Sequence, residues 1–245
     1  MKVKNIKSFI DFYRYMGIST CISSIPRSVK NEKQLKNSKK KELNINEKLV
    51  KNKKNSLEVL KKEIKSCECG LKDIATNFVF SDGKQDSNVM VIGEAPGAEE
   101  DKIGKPFVGQ AGKLLDKMLL FIGLDRKTNF YITNLVFWRP PGNRTPNRQE
   151  IEICLPFTKK HIEIIKPKLL ILLGNVASQS ILKTKEGINI IRDKDNFYED
   201  ELSKMKIPVK ATFHPAYLLR NPYEKKKMWD DLLKINAYIS KNNLI

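Results

Sequence analysis

A chain of 245 residues with 40% hydrophobic content has room for one sizeable domain, or one domain plus an extension, and enough apolar side chains to build a core. A formal charge of +18 favours a polyanionic partner, nucleic acid being the commonest, although the abundance of Lys, Asn and Ile also fits AT-rich coding sequence without selection for binding. No apolar run approaches the ~18–20 residues that span a bilayer, and Asp11 and Arg14 stand where a secretory signal would be apolar, so the chain reads as cytoplasmic.

Residues 9–16 read as a short amphipathic helix, with Phe9, Phe12, Tyr13 and Met16 on one face. Residues 27–55 are polar and lysine-rich, the composition of a flexible basic linker able to add weak phosphate contacts. A helix resumes near Leu57 and runs into Cys67 and Cys69, which places the boundary between an N-terminal extension (1–60) and a folded domain (61–245). The four cysteines, Cys21, Cys67, Cys69 and Cys154, are too few and too scattered for a disulfide scaffold, though Cys67-Glu68-Cys69 could mark a metal site.

From residue 88 onward strands and helices alternate. VMVIG (89–93), FYITNLVF (130–137), KLLILLG (168–174) and PVKATFHP (208–215) read as strands. Between and after them lie helical patterns: GKLLDKMLLFIGL, a helix opened by Thr145 and Pro146 that ends before Pro167, a helix from 175 to about 182, and a closing helix from 221 to about 240. This rhythm predicts an α/β fold, a three-layer α/β/α sandwich around a mostly parallel four-stranded sheet.

In such sheets ligands sit at the carboxyl ends of the strands. That rule selects GEAPGAEED, NLVFWRPPGNR, GNVA and HPAYLLR. The first gathers Glu94, Glu99, Glu100 and Asp101, which taken alone is as compatible with a solvated helix cap as with a site. It lacks both GxGxxG and GK[ST], so no nucleotide cofactor is suggested. Of the two histidines, His161 falls inside a helix beside two lysines and reads as a surface or half-buried residue. His214 ends a strand, where it is either a satisfied structural residue or a hydrogen-bond donor to a substrate oxygen gaining negative charge.

Together GEAPGAEEDKIGKPFVGQAGKLLDKML, FYITNLVFWRPPGNR, LLGNVA and TFHPAYLLRNP, in this order and spacing, resemble the family 4 uracil-DNA glycosylases over residues 66–233. The resemblance implies a monofunctional DNA glycosylase that hydrolyses the N-glycosidic bond of uracil in DNA and leaves an abasic site for base-excision repair. It implies that Phe107 stacks on the flipped base, that Asn134 reads its polar edge, and that the backbone at Gly93, Glu94 and Ala95 lines the pocket. Glu94 and Glu100 would stabilise the sugar cation and handle water, with His214 hydrogen-bonding the departing uracil. Faster relatives place a water-activating aspartate where this chain has Ala95. Leu218 and Leu219 would wedge into the base stack, while Arg139, Arg144 and Arg220 would contact phosphate. The expected partner is uracil-containing DNA, with a monomer sufficient. A competing reading is a non-catalytic uracil- or DNA-binding module accessory to a polymerase or repair complex, though such a module needs none of these side chains together.

The chain departs from that family in its cysteines. Most members hold an iron–sulfur cluster on four thiolates, and the matching positions here are Ser66, Cys69, Trp138 and Cys154. Even with Cys67 substituting for Ser66, a tryptophan stands at the third position, so no [4Fe-4S] cofactor is expected; Cys67, Cys69 and Cys154 would then be remnants of the ligand set, and Trp138 would fill the vacated volume. A second departure, IRDKDNFYED (191–200), predicts altered strand pairing.

Overall fold

The computed structural model describes residues 39–200 and 204–245, with side chains from residue 52 onward. The predicted helix at 9–16 lies outside the described residues. Six strands, β1 (Asp82–Gly83), β2 (Val89–Gly93), β3 (Phe130–Asn134), β4 (Leu169–Leu173), β5 (Asn196–Asp200) and β6 (Met205–Thr212), form one sheet in the order β1-β3-β2-β4-β6-β5. The inner four, β2, β3, β4 and β6, are the predicted ones. They pair in parallel. Their unbroken apolar runs follow from that topology, because helices cover both faces and leave no polar face to alternate with. The two further strands are antiparallel edges, β1 (Asp82–Gly83) against β3 and β5 (Asn196–Asp200) against β6. β5 runs through the sequence that departs from the family; among its residues only Tyr198 is buried.

Gly93 pairs with Asn134, Ile92 with Leu172, and Leu173 with Thr212, so all four parallel strands end along one edge of the sheet. The four loops selected above therefore converge.

The helices are α1 (Lys39–Ser66), α2 (Ala98–Ile103), α3 (Gln110–Phe121), α4 (Arg148–Ile165), α5 (Gly174–Leu182), α6 (Ile188–Ile191), α7 (Pro215–Arg220) and α8 (Lys225–Lys241). Among the described residues no helix is long and apolar enough to cross a membrane. Several expectations need correction. The linker reading of 27–55 fails from Lys39 on, where α1 begins and continues without interruption through residue 60. The stretch contains no Gly or Pro, and extending a helix already anchored at its far end costs little. That anchor is Leu57, Leu60 and Ile64, all buried. Lys53 adds a bond from its Nζ to the Ile165 carbonyl, 2.8 Å away. Because Leu57 belongs to the main core, the folded unit begins before residue 61.

The second strand stops at Asn134 rather than Phe137, where the chain turns to give the Leu135 and Val136 N–H groups to the carbonyls of Gly93 and Glu94. α4 is capped by Asn147 rather than Thr145: the Asn147 side chain accepts from the Glu150 N–H at 2.9 Å, and the Glu150 carboxylate accepts from the Asn147 N–H at 2.7 Å. Thr145 is thereby released for another role. The closing helix starts at Lys225, after a single 3-10 turn at Pro222–Glu224.

Apolar side chains gather in two clusters. The larger fills the space between sheet and helices. The smaller joins Leu60 and Ile64 of α1, Cys69, Leu71, Val136, Phe137, Trp138 and Cys154 of α4. His161 sits deep among Phe80, Phe137 and Tyr131, with ring centroids at 4.5, 5.7 and 5.9 Å, which corrects the expectation of a surface or half-buried residue. Neither of its nitrogens has a hydrogen-bond partner, and burial pushes its pKa down to about 3.

Candidate active site

A cleft of about 650 Å³ opens where the strand ends meet, lined by Glu94, Glu100, Phe107, Asn134, His214 and Arg220 among others. Its inner wall depends on Gly93. A Cβ there would run into the Phe107 ring and the Asn134 Oδ1, so only glycine lets the ring and the amide close on each other. Asn134, at the end of β3, is 1% exposed, and its Oδ1 has no hydrogen-bond partner. Leaving a buried acceptor unpaired costs about 1–3 kcal/mol. That cost is recovered only when a ligand brings a donor.

Phe107 sits in the left-handed region with φ 55°, unusual for an aromatic residue, and its ring lies 5.8 Å from the His214 ring. His214 caps α7, its Nδ1 accepting the Ala216 N–H at 3.2 Å. That bond fixes the neutral tautomer with hydrogen on Nε2. Burial, followed by the charge of Arg220, pushes the His214 pKa down to about 4, so the ring is a neutral donor at physiological pH. Gly174, with φ 85°, lets the start of α5 abut the His214 Cβ. Beneath the same loop Arg192 stands over the Phe213 ring and bonds Asp231, which also accepts from the Thr212 hydroxyl.

The two glutamates differ. Burial raises the Glu94 pKa, while the Thr145 hydroxyl and the charge of Arg220 pull it back. Glu100 instead accepts three backbone N–H groups, from Gly97 at 3.1 Å and from Val108 and Gly109 at 2.8 Å. Its carboxylate braces the loop between α2 and α3. Thr145 was not among the predicted site residues, because nothing local in the sequence ties it to Glu94. The tie is a direct side-chain hydrogen bond, and Arg144 steadies the Thr145 backbone, its guanidinium meeting Glu150 at 2.6 and 2.9 Å and the Thr145 carbonyl at 3.0 Å.

The match to a family model follows the same residues: the uracil DNA glycosylase superfamily, over residues 80–233. The chain belongs to this superfamily. It is 42% identical over 185 residues to a type-4 uracil-DNA glycosylase of Sulfurisphaera tokodaii, covering 74% of this chain and 83% of that one. Against the type-4 uracil-DNA glycosylase of Archaeoglobus fulgidus it is 40% identical over 189 residues, covering 76% and 94%. Against that of Pyrobaculum aerophilum it is 38% identical over 181 residues, covering 72% and 91%.

Within this superfamily member the rim of the cleft does not meet every expectation. Leu218 is fully buried and so is core rather than wedge, whereas Leu219 is 37% exposed. The one-residue difference follows from helix geometry, since neighbours on α7 point about 100° apart. Arg220 lines the cleft. Arg139 bonds Asn143 through Nε at 2.7 Å, and Arg144 is committed to Glu150, so both stiffen the RPPGNR loop before they face any phosphate.

The cysteine positions do not fit a four-thiolate cluster. Trp138 is buried, packs 5.4 Å from Phe78, and shares one apolar cluster with Cys69 and Cys154. A side-chain hydrogen bond between Cys69 and Cys154 raises the Cys154 pKa and lowers that of Cys69. Ser66 turns its hydroxyl back to the Glu63 carbonyl at 2.8 Å. Among the described residues no group of three or more His, Cys, Asp or Glu side chains is arranged to hold a metal ion; Cys21 lies outside them.

Proposed function

We propose that this protein is a monofunctional uracil-DNA glycosylase. The observation that carries the reading is the buried, unpartnered Oδ1 of Asn134 beside the Phe107 ring and the neutral His214. An amide offers one acceptor and a donor pair. With Oδ1 turned toward Gly93 as it stands, uracil presents the complement, an N3–H donor next to the O4 acceptor, while cytosine presents an acceptor next to an amino donor and would pair only with the amide turned over. Entry of the base into such a pocket requires the nucleotide to leave the duplex stack.

Cleavage of the bond between C1′ and N1 leaves cationic character on the sugar and negative charge on uracil, as in other glycosyl transfers. His214 donates its Nε2–H to a uracil carbonyl oxygen as that charge develops. Glu94, held by the Thr145 hydroxyl, is the carboxylate that faces the sugar cation and orients the attacking water. Water adds hydroxyl to C1′, and its proton balances the departing uracil anion. Glu100 acts as a positioning residue through the loop it braces. Leu219 and Arg220 serve the DNA backbone and stack, with Arg139 and Arg144 shaping the adjoining loop. We further assign residues before α1 to an extension and the remainder to one glycosylase domain acting as a monomer in the cytoplasm. With tryptophan at the third ligand position, the protein folds without an iron–sulfur cluster.

A single-uracil oligonucleotide, incubated and then treated with alkali, tests this against the alternative of a non-catalytic DNA-binding module. Alkali-labile breaks with wild type that vanish in Asn134→Ala and His214→Ala support the glycosylase; binding without breaks supports the module. For the cofactor, protein purified without oxygen is to contain no stoichiometric iron or acid-labile sulfide, and stoichiometric iron would overturn that assignment.

A further inference from the structure

Phe107 holds a backbone conformation that its side chain disfavours, with φ 55°. A strained residue persists only where its surroundings over-determine it. Here the surroundings are specific. Arg126, in the turn after α3 and only 13% exposed, directs Nη1 to the Pro106 carbonyl at 2.7 Å and Nη2 to the Phe107 carbonyl at 2.9 Å. The same guanidinium reaches Asp116 through Nε and Nη2 at 3.2 and 2.8 Å, and Asp82 through Nη1 at 3.3 Å. All five of its N–H groups are thus in use. On the other side of the turn, Glu100 takes the N–H groups of Val108 and Gly109. The peptide joining Phe107 to Val108 is therefore gripped at its carbonyl by Arg126 and at its N–H by Glu100. Gly112, in the first turn of α3, lies so close that a Cβ there would strike the Phe107 carbonyl.

We infer that Arg126 is a positioning residue for the uracil-stacking ring of Phe107, and that the Asp82–Arg126–Asp116 unit sets how tightly the flipped base is held. The inference rests on the assignment of the cleft to uracil. Arg126 touches no reacting atom; it fixes the two carbonyls that orient the ring. Lysine cannot replace it, because a single ammonium lacks the planar fork that meets two carbonyls and a carboxylate together.

The test is inhibition by free uracil, together with kcat/KM on uracil-containing DNA, for wild type, Arg126→Lys, Arg126→Gln and Asp116→Asn, each measured well below its melting temperature. The inhibition constant for uracil is to rise roughly 10- to 100-fold in both Arg126 variants, with kcat/KM falling by a similar factor. Asp116→Asn is to give a smaller change in the same direction, and affinity for uracil-free duplex is to stay unchanged in all three. A lowered melting temperature with an unchanged uracil inhibition constant would mean that Arg126 serves only the fold, and the inference would be wrong. Should neither Arg126 variant fold, Asp116→Asn decides by the same criterion. If wild type neither excises uracil nor responds to the free base, the uracil assignment itself fails, and this inference with it.

Discussion

The Asn134 cleft and the tryptophan–cysteine cluster take in the two ends of the segment from Asn134 to Trp138, yet they obey opposite rules. In the pocket a polar atom, Asn134 Oδ1, is buried without a partner and held there by rigid neighbours. In the cluster polar capacity is closed off: Ser66 bonds its own helix, Cys154 bonds Cys69, and Trp138 packs against Phe78. The first arrangement is worth its cost only when something binds. The second is complete as it stands. The difference is that one region buries a polar atom without a partner while the other, a few residues away in sequence, packs apolar side chains around its cysteines.

The largest expected effect comes from the closed region. Trp138→Ala should destabilise the fold by about 3–5 kcal/mol through the cavity it leaves, read by chemical denaturation. At temperatures where the variant remains folded, excision should change little; a loss of activity as large as that of a pocket variant would break the comparison. In the pocket the order reverses. Removing the His214 donor should lower kcat by roughly 100- to 1,000-fold, with a stability loss confined to the about 0.5–2 kcal/mol of the α7 cap. Asn134→Ala should be stability-neutral or better, because it removes an unpaired acceptor, while kcat/KM falls by a comparable factor.

The pH dependence sharpens the same contrast. Glu94 has a raised pKa and must be ionised to act, so kcat/KM should fall as pH drops through a midpoint above the ordinary carboxylate value. His214, neutral down to about 4, should contribute no inflection near the usual imidazole value. The stability profile has a different origin. His161 takes up a proton in the unfolded chain near pH 6.5 but in the folded protein only near 3, so stability is fully present above 6.5 and declines as pH falls toward 3. His161→Phe should flatten that slope to the share left by His214, whose pKa is likewise pushed down to about 4, and raise stability by about 1–3 kcal/mol, since two unpaired buried nitrogens are replaced by ring carbon. Denaturation curves of both proteins across that range check it. Smallest is the rim: Leu219→Ala should weaken excision from duplex DNA several-fold while sparing a single-stranded substrate, which needs no wedge.

Much of this was legible in the sequence, and the rest was not for identifiable reasons. β2, β3, β4 and β6 announce themselves because parallel strands covered on both faces are continuous apolar runs. β1 has two residues, too few for any period, and β5 buries only Tyr198. α1 up to Asn55 reads as linker because it is dominated by lysine and asparagine, while the three core residues, Leu57, Leu60 and Ile64, come only near its end. Among site residues, Glu94, Phe107, Asn134 and His214 meet in one cleft as the motifs imply. Thr145 and Arg126 escaped notice because their roles rest on contacts with chain segments far away in sequence, as with Arg126 and the Phe107 carbonyl, 19 residues apart. Leu218 and Leu219 look alike as letters, and only the orientation of α7 separates core from rim.

The most direct test of the central claim is the identity of the base released. Matched oligonucleotides carrying uracil or cytosine at one position, incubated with wild-type protein, should yield free uracil from the first and no free base from the second. Tight binding of the uracil strand with no base released, or release of cytosine at a similar rate, would contradict the account of Asn134 and the pocket built around it.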